Sequence, residues 1–238
     1  MHKNDLYVKP DAAPSTRAIR LTATGSETHF NGVPDWVYEE EVLADEFALW
    51  WSPDAKRLAF LESDETEVDV YTFPIYNPSM DAHGVYPYTE EVAMRYPKPG
   101  FTNPSVDVHV FDLDGYLSRD QGEDDDDDDD DDEVPEEVSQ HLSRLTWSPR
   151  RPSGESIVFD VTWIGDNDLL VKEVNRAADN GVVVHFKMGD LSIASAEIQG
   201  SVVRHLGRNG EEGDGGWIES VSPPFFLFFS LSYVCTFS

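Results

Sequence analysis

No stretch of this chain sustains the roughly 3.6-residue apolar periodicity of a long helix, and that absence constrains the fold more than any other feature. Apolar residues come instead in short runs separated by turn residues. Val68–Phe73 (VDVYTF) and Val106–Leu113 (VDVHVFDL) alternate with period two, as half-buried strands do. Ala48–Ser52 (ALWWS) passes through Pro53-Asp54-Ala55-Lys56 into Arg57–Leu61 (RLAFL). Asp160–Ile164 (DVTWI) turns at Gly165-Asp166-Asn167 into Asp168–Val171 (DLLV), and Val182–Met188 follows Asp179-Asn180-Gly181. The expectation is an all-β chain of antiparallel strands.

The runs also repeat. An aromatic strand, a turn and an apolar strand occur at Trp50–Phe60 and recur at Val161–Val171, with a weaker echo at Trp147-Ser148-Pro149. Units of about four strands fit propeller blades, with an immunoglobulin-like sandwich or another β scaffold as the alternative.

Charge limits the partners. The formal charge is −30, and a local block of thirteen acidic residues between Glu123 and Glu137 leaves about −17 elsewhere. Nucleic acid is therefore excluded as a partner by phosphate repulsion, and cationic partners are favoured. Asp124–Asp132 is an unbroken aspartate run within Gly122–Val138, which reads as a solvated acidic loop. A calcium site there would need fixed ligand spacing and a glycine turn, which a homopolymer lacks. The single cysteine, Cys235, precludes an internal disulfide, and no zinc spacing occurs. The residues imply no cofactor and no metal. The N-terminal stretch lacks the apolar core of a signal peptide, and both Asn-x-Ser matches, at Asn77 and Asn103, have proline in the middle. Val221–Ser238 carries no charge; its apolar centre, Phe225–Phe229, is too short to span a bilayer. That tail reads as non-native, as translation into an intron would produce.

Asp35–Val42 (DWVYEEEV) places three adjacent carboxylates beside large apolar side chains. Such crowding is either a solvated helix end or a site for a cation. Its surroundings decide. Asn31-Gly32-Val33-Pro34-Asp35-Trp36-Val37-Tyr38-Glu39-Glu40-Glu41-Val42, followed by Ala48-Leu49-Trp50-Trp51-Ser52-Pro53-Asp54, resembles the N-terminal propeller of the dipeptidyl peptidase IV family. Thr66-Glu67-Val68, Tyr96-Pro97-Lys98-Pro99-Gly100, Asn103-Pro104-Ser105-Val106, Asp160-Val161-Thr162-Trp163 and Gly215-Gly216-Trp217 continue the likeness, and Lys172-Glu173-Val174-Asn175-Arg176 is similar to the fungal vacuolar branch. The resemblance covers roughly residues 4–113 and 157–220, with Gly122–Ser156 departing from the pattern and Arg144–Ser153 reading as an insertion.

The resemblance implies a serine-type enzyme that removes X-Pro or X-Ala dipeptides from free N-termini, with a hydrolase domain after an eight-bladed propeller. It implies that Glu40 and Glu41 bind the substrate ammonium and that Glu39 does not touch it directly. It further implies a single-pass vacuolar membrane protein, often dimeric. No Gly-x-Ser-x-Gly nucleophile elbow occurs in the chain, and no histidine sits in the surroundings of the family's base; His109 and His185 lie in strand-like runs. By the resemblance, the family's first blades, the arginine that helps hold substrate and the membrane anchor are expected to lie outside these residues. Residues 1–220 are thus expected to form about two to three blades of an incomplete propeller, inactive by itself. The alternative is a non-catalytic propeller module that binds cationic or N-terminal peptide segments.

Overall fold

The computed structural model describes residues 1–76, 84, 87–119, 134–189, 196–208, 210 and 216–218. The aspartate run and the tail at 221–238 lie outside them. The described chain is mostly sheet. A six-stranded sheet runs in the order β13 (Glu197–Gln199), β9 (Leu142–Thr146), β8 (Ser105–Asp112), β5 (Arg57–Asp64), β3 (His29–Asn31), and β4 (Leu49–Trp51) also pairs with β5. A four-stranded antiparallel sheet runs β10 (Ile157–Ile164), β11 (Asp168–Val174), β12 (Asn180–Lys187), β14 (Ser201–Gly207). Helices among the described residues are short: a π-helical segment at Tyr38–Leu43, α1 (Leu113–Ser118) and α2 (Glu136–Ser139).

The two sheets face each other across one core. Ala59, Leu61, Val106, Val108, Val110 and Leu145 from the larger sheet meet Val161, Leu169, Val171, Val184 and Phe186 from the smaller. The opposite face of the larger sheet is also covered. There Leu58, Phe60 and Phe111 pack with Leu6, Val8 and Leu21 of the N-terminal segment, where β1 (Tyr7–Val8) pairs with β2 (Ile19–Arg20), and with Leu113, Tyr116 and Val138. Because β5 is covered on both faces, its apolar run RLAFL is nearly continuous where a one-faced strand would alternate.

The repeated aromatic hairpins dock side by side. In the first, Ser52 closes the turn: its hydroxyl donates to Asp54 (2.7 Å) and accepts the Arg57 N–H (2.9 Å). In the second, Gly165 takes φ +64, a conformation that favours glycine. Arg57 reaches from the first turn to the second, donating to the Asp166 carbonyl and to Asn167 Oδ1. Trp163 Nε1 donates to the Trp50 carbonyl at 3.0 Å.

Three expectations are corrected. First, the strands are not all antiparallel, because β13 pairs β9 in parallel. The Arg144–Ser153 stretch is tied into the fold beside it: Arg144–Thr146 belong to β9, Leu145 and Trp147 are buried, and Arg144 and Arg150 both pair with Asp107. Arg151 donates to the fully buried Glu173, which also accepts from Trp147 Nε1 and Ser156. A buried carboxylate needs such donors, and this stretch supplies them. Second, the acidic loop does not extend to Val138: Glu136–Ser139 is helical and Val138 is buried among the second cluster. Third, the VDVYTF run is not half-buried. Val68 is buried before the strand begins, whereas among the described residues β6 (Val70–Ile75) pairs only with β7 (Glu90–Arg95), in a ribbon that leaves Val70, Tyr71 and Ile75 exposed.

His109 and His185 do lie on strands. His109 Nε2 stands 2.9 Å from Glu62 Oε2, and His185 Nε2 stands 2.5 Å from Asp168 Oδ1.

Candidate functional site

The glutamate helix leaves the larger sheet after β3 and returns to it at β4. Gly32 begins the excursion with φ +70, and its N–H and carbonyl bond to the Leu61 carbonyl and the Ala48 N–H. Asp35 then organises the helix start. Its side chain accepts the Val37 N–H at 3.0 Å, and its carbonyl accepts the Glu39 N–H at 2.9 Å. This is the short-range bonding for which aspartate is favoured ahead of a helix. Asp35 is buried, and that burial pushes its carboxyl above the ordinary range against the pull of the Val37 and Tyr38 N–H groups and the Ser63 hydroxyl.

Tyr38 and Val42, four residues apart, are the buried residues of the helix and join the core between the sheets. Glu39, Glu40 and Glu41 fall between them and are exposed. In an α-helix consecutive side chains are separated by about 100°. A π-helix bonds i to i+5, so each turn holds more residues and neighbouring side chains stand at a narrower angle. The three carboxylates are therefore gathered into one outward arc. Ala44, with φ +52, ends the helix, and no basic residue occupies its last turn.

Glu39, Glu40, Ala44, Asp45 and Glu46 line an open cleft of about 290 Å³. Glu41 is on the exposed arc but not in that lining. Among the described residues no cation pairs with Glu39, Glu40 or Glu41, whereas Asp5, Asp107 and Glu173 are each met by an arginine. Acids in the first turn suit a helix N-terminus, but Asp45 and Glu46 follow the C-terminal end, where the dipole disfavours them. Among the described residues, the cleft is a concentration of negative charge with no cation paired to its glutamates. Among the described residues no group of three or more His, Cys, Asp or Glu side chains is arranged to hold a metal ion.

A second buried carboxylate lies within reach of the Asp35 charge. Glu65, buried just after β5, is pushed up to about 7, chiefly by burial and then by the charge of Asp35, with Arg95 opposing. Sequence reading found the glutamate arc but missed Asp45 and Glu46 in the cleft and the buried Asp35 and Glu65. The Asp35 cap was signalled by an aspartate just ahead of the Val37–Leu43 stretch. Nothing in the sequence signalled Glu65.

One antiparallel and one mixed sheet packed together, with an acidic arc on a short helix that meets no cation among the described residues, define a class: a β-sheet domain with an exposed cluster of carboxylates. The family model described as the dipeptidyl peptidase IV (DPP IV) N-terminal region matches residues 1–237, and the chain belongs to that family. Dipeptidyl peptidase 4 of Arthroderma otae is 32% identical over 233 residues, covering 97% of this chain and 24% of that protein. Dipeptidyl aminopeptidase B of Saccharomyces cerevisiae is 33% identical over 226 residues, covering 94% and 22%. The crystal structure of Porphyromonas gingivalis dipeptidyl peptidase 4 shares the fold at a TM-score of 0.59 and 20% identity, over 86% of this chain and 23% of that one. The chain spans about a quarter of the length of these proteins.

Proposed function

We propose that this chain is the part of a dipeptidyl aminopeptidase that grips the free N-terminus of a peptide substrate, with Glu40 and Glu41 as the two acceptors. The observation that carries the reading is the unpaired glutamate arc on a helix with a buried base, set in the Asn31–Val42 motif. A peptide ammonium titrates near pH 8 and offers three donors, so at neutral pH two carboxylates can hold it by charge-assisted bonds. A fixed grip on the first residue sets the distance to the scissile bond, and the product is a dipeptide. The Gly-x-Ser-x-Gly elbow does not occur in these 238 residues, so we assign binding, not bond cleavage, to them.

The two facing sheets support a reading as neighbouring blades of a propeller, with residues 1–220 as propeller and 221–238 as a separate tail. In the family's pattern the full-length enzyme is serine-type, dimeric and anchored in the vacuolar membrane. The exposed β6–β7 ribbon supports the dimeric part of that reading. One observation favours a second reading, a module for cationic segments: the cleft is lined by four carboxylates, more than one ammonium requires.

Titration calorimetry with glycyl-prolinamide tests the proposal. Glu40→Gln and Glu41→Gln are expected to weaken binding tenfold or more, about 1.4 kcal/mol or above. Glu39→Gln is expected to cost much less, and N-acetylation of the ligand to abolish binding. Equal losses at the three positions, or the largest at Glu39, would refute the assignment of the pair. Tight binding of a lysine-rich peptide with none of the dipeptide amide would select the second reading. The chain is expected to release no chromophore from a Gly-Pro anilide.

A further inference from the structure

Tyr38 carries a bond that packing alone does not call for. Its ring is 2% exposed, and its hydroxyl accepts the Val158 N–H at 3.1 Å. Val158 lies on β10, an edge strand of the smaller sheet, at the point where the register with β11 shifts between Val158 and Asp160. An edge strand has backbone groups that its single neighbour does not satisfy and that need partners outside the ladder. The Val158 N–H is buried and meets the phenol. The glutamate helix has only six residues, fewer than an isolated helix needs to be stable, and the Asp35 bond to the Val37 N–H at its start is local and does not tie it to the second sheet. Val42, its other buried residue, makes apolar contacts, which have no preferred direction. Among the hydrogen bonds of the described residues, the Tyr38–Val158 bond is the directional link between this helix and the second sheet.

We propose that Tyr38 is a positioning residue for the N-terminus grip: by accepting the Val158 N–H it registers the glutamate helix against β10 and sets where Glu40 and Glu41 stand. The inference rests on the reading of those glutamates as the ammonium acceptors. Phenylalanine at this position would fill nearly the same volume but strand a buried N–H. The structure can relieve that only by moving the helix or the strand until water or another acceptor reaches it. Either movement displaces carboxylates that lie one to three residues along the same turn.

The test compares Tyr38→Phe with Trp163→Phe, which breaks another hydrogen bond between the sheets, the one to Trp50, that does not involve the helix. Binding of glycyl-prolinamide and of N-acetyl-glycyl-prolinamide is measured for each. Tyr38→Phe is expected to weaken the free amine about tenfold and to reduce the preference for it over the acetylated form. Trp163→Phe is expected to leave that preference intact. An unchanged preference in Tyr38→Phe, or an equal loss in Trp163→Phe, overturns the proposal. If Glu40→Gln and Glu41→Gln weaken binding while Tyr38→Phe does not, the positioning role falls and the grip stands. If neither glutamate variant weakens binding, the grip itself falls and takes the positioning role with it.

A second measurement needs no variant. Coupling is reciprocal, so saturating glycyl-prolinamide is expected to slow hydrogen exchange of the Val158 amide in the wild-type chain by severalfold. Unaltered exchange at saturation overturns the proposal.

Discussion

Glu65 makes the stability of the fold sensitive to pH. Its carboxyl holds a proton up to about pH 7 in the folded chain, against an ordinary value of 4.5. Between those values the folded state binds more protons than the unfolded one, so this group makes stability fall as pH rises through the window. Asp35 is raised as well and acts with the same sign. Glu62, held low mainly by its bond to His109, acts with the opposite sign at lower pH, where its stabilising contribution is lost as pH falls. Glu65→Gln is expected to remove most of the decline between pH 5 and pH 8, on the order of 2 kcal/mol. Urea denaturation at the two pH values checks this, and a wild-type-like decline in the variant would show that the proton resides elsewhere.

The β6–β7 ribbon shows what an element can hide from its sequence. Its alternation correctly announced a strand, but period two says nothing about which face finds a partner. Val70, Tyr71 and Ile75 are exposed, and the Tyr71 ring stacks on Phe73 and meets Tyr96 tilted, with Lys98 above it. Such a ribbon presents both apolar surface and free backbone edges. The chain is expected to self-associate through it. Sedimentation velocity on a Val70→Lys/Ile75→Lys variant should show a larger monomer fraction, with thermal stability changed little. No shift toward monomer would place the contact on another surface. The two aromatic hairpins were legible for the opposite reason: Ser52-Pro53-Asp54 and Gly165-Asp166-Asn167 dictate their turns by local chemistry. β9 was illegible because Leu142–Thr146 is short, carries an arginine, and follows a charge block that masks it. Leu6, Val8 and Leu21 gave no strand pattern because they cover the back of the larger sheet from a mostly irregular segment. The π-helical turn was legible only as crowded glutamates, since the Tyr38 and Val42 spacing over six residues is too short to read as periodic.

At the scale of the molecule, the chain leaves the larger sheet at β9, builds three strands of the smaller one, returns to pair β13 beside β9, and then crosses again into β14. Gly200 is the crossing point. Its N–H donates to the Thr146 carbonyl at 2.7 Å, and a Cβ there would stand 2.5 Å from the Phe186 ring. No larger residue fits without moving that ring out of the core between the sheets. The segment from Glu197 to Gly207 thus completes both sheets, and neither can shed it without opening the other. Native-state hydrogen exchange is expected to report one opening free energy for the slowest amides of β9 and of β12. Clearly separate values would mean that the sheets unfold as independent units. The lacing also has a kinetic meaning. Both sheets must wait for a stretch far along the chain before either is complete, and contacts so distant in sequence slow folding. A nascent chain synthesised only to Met188 would carry two open edges at once, so the interval before residues 197–207 arrive is when this protein most needs a chaperone.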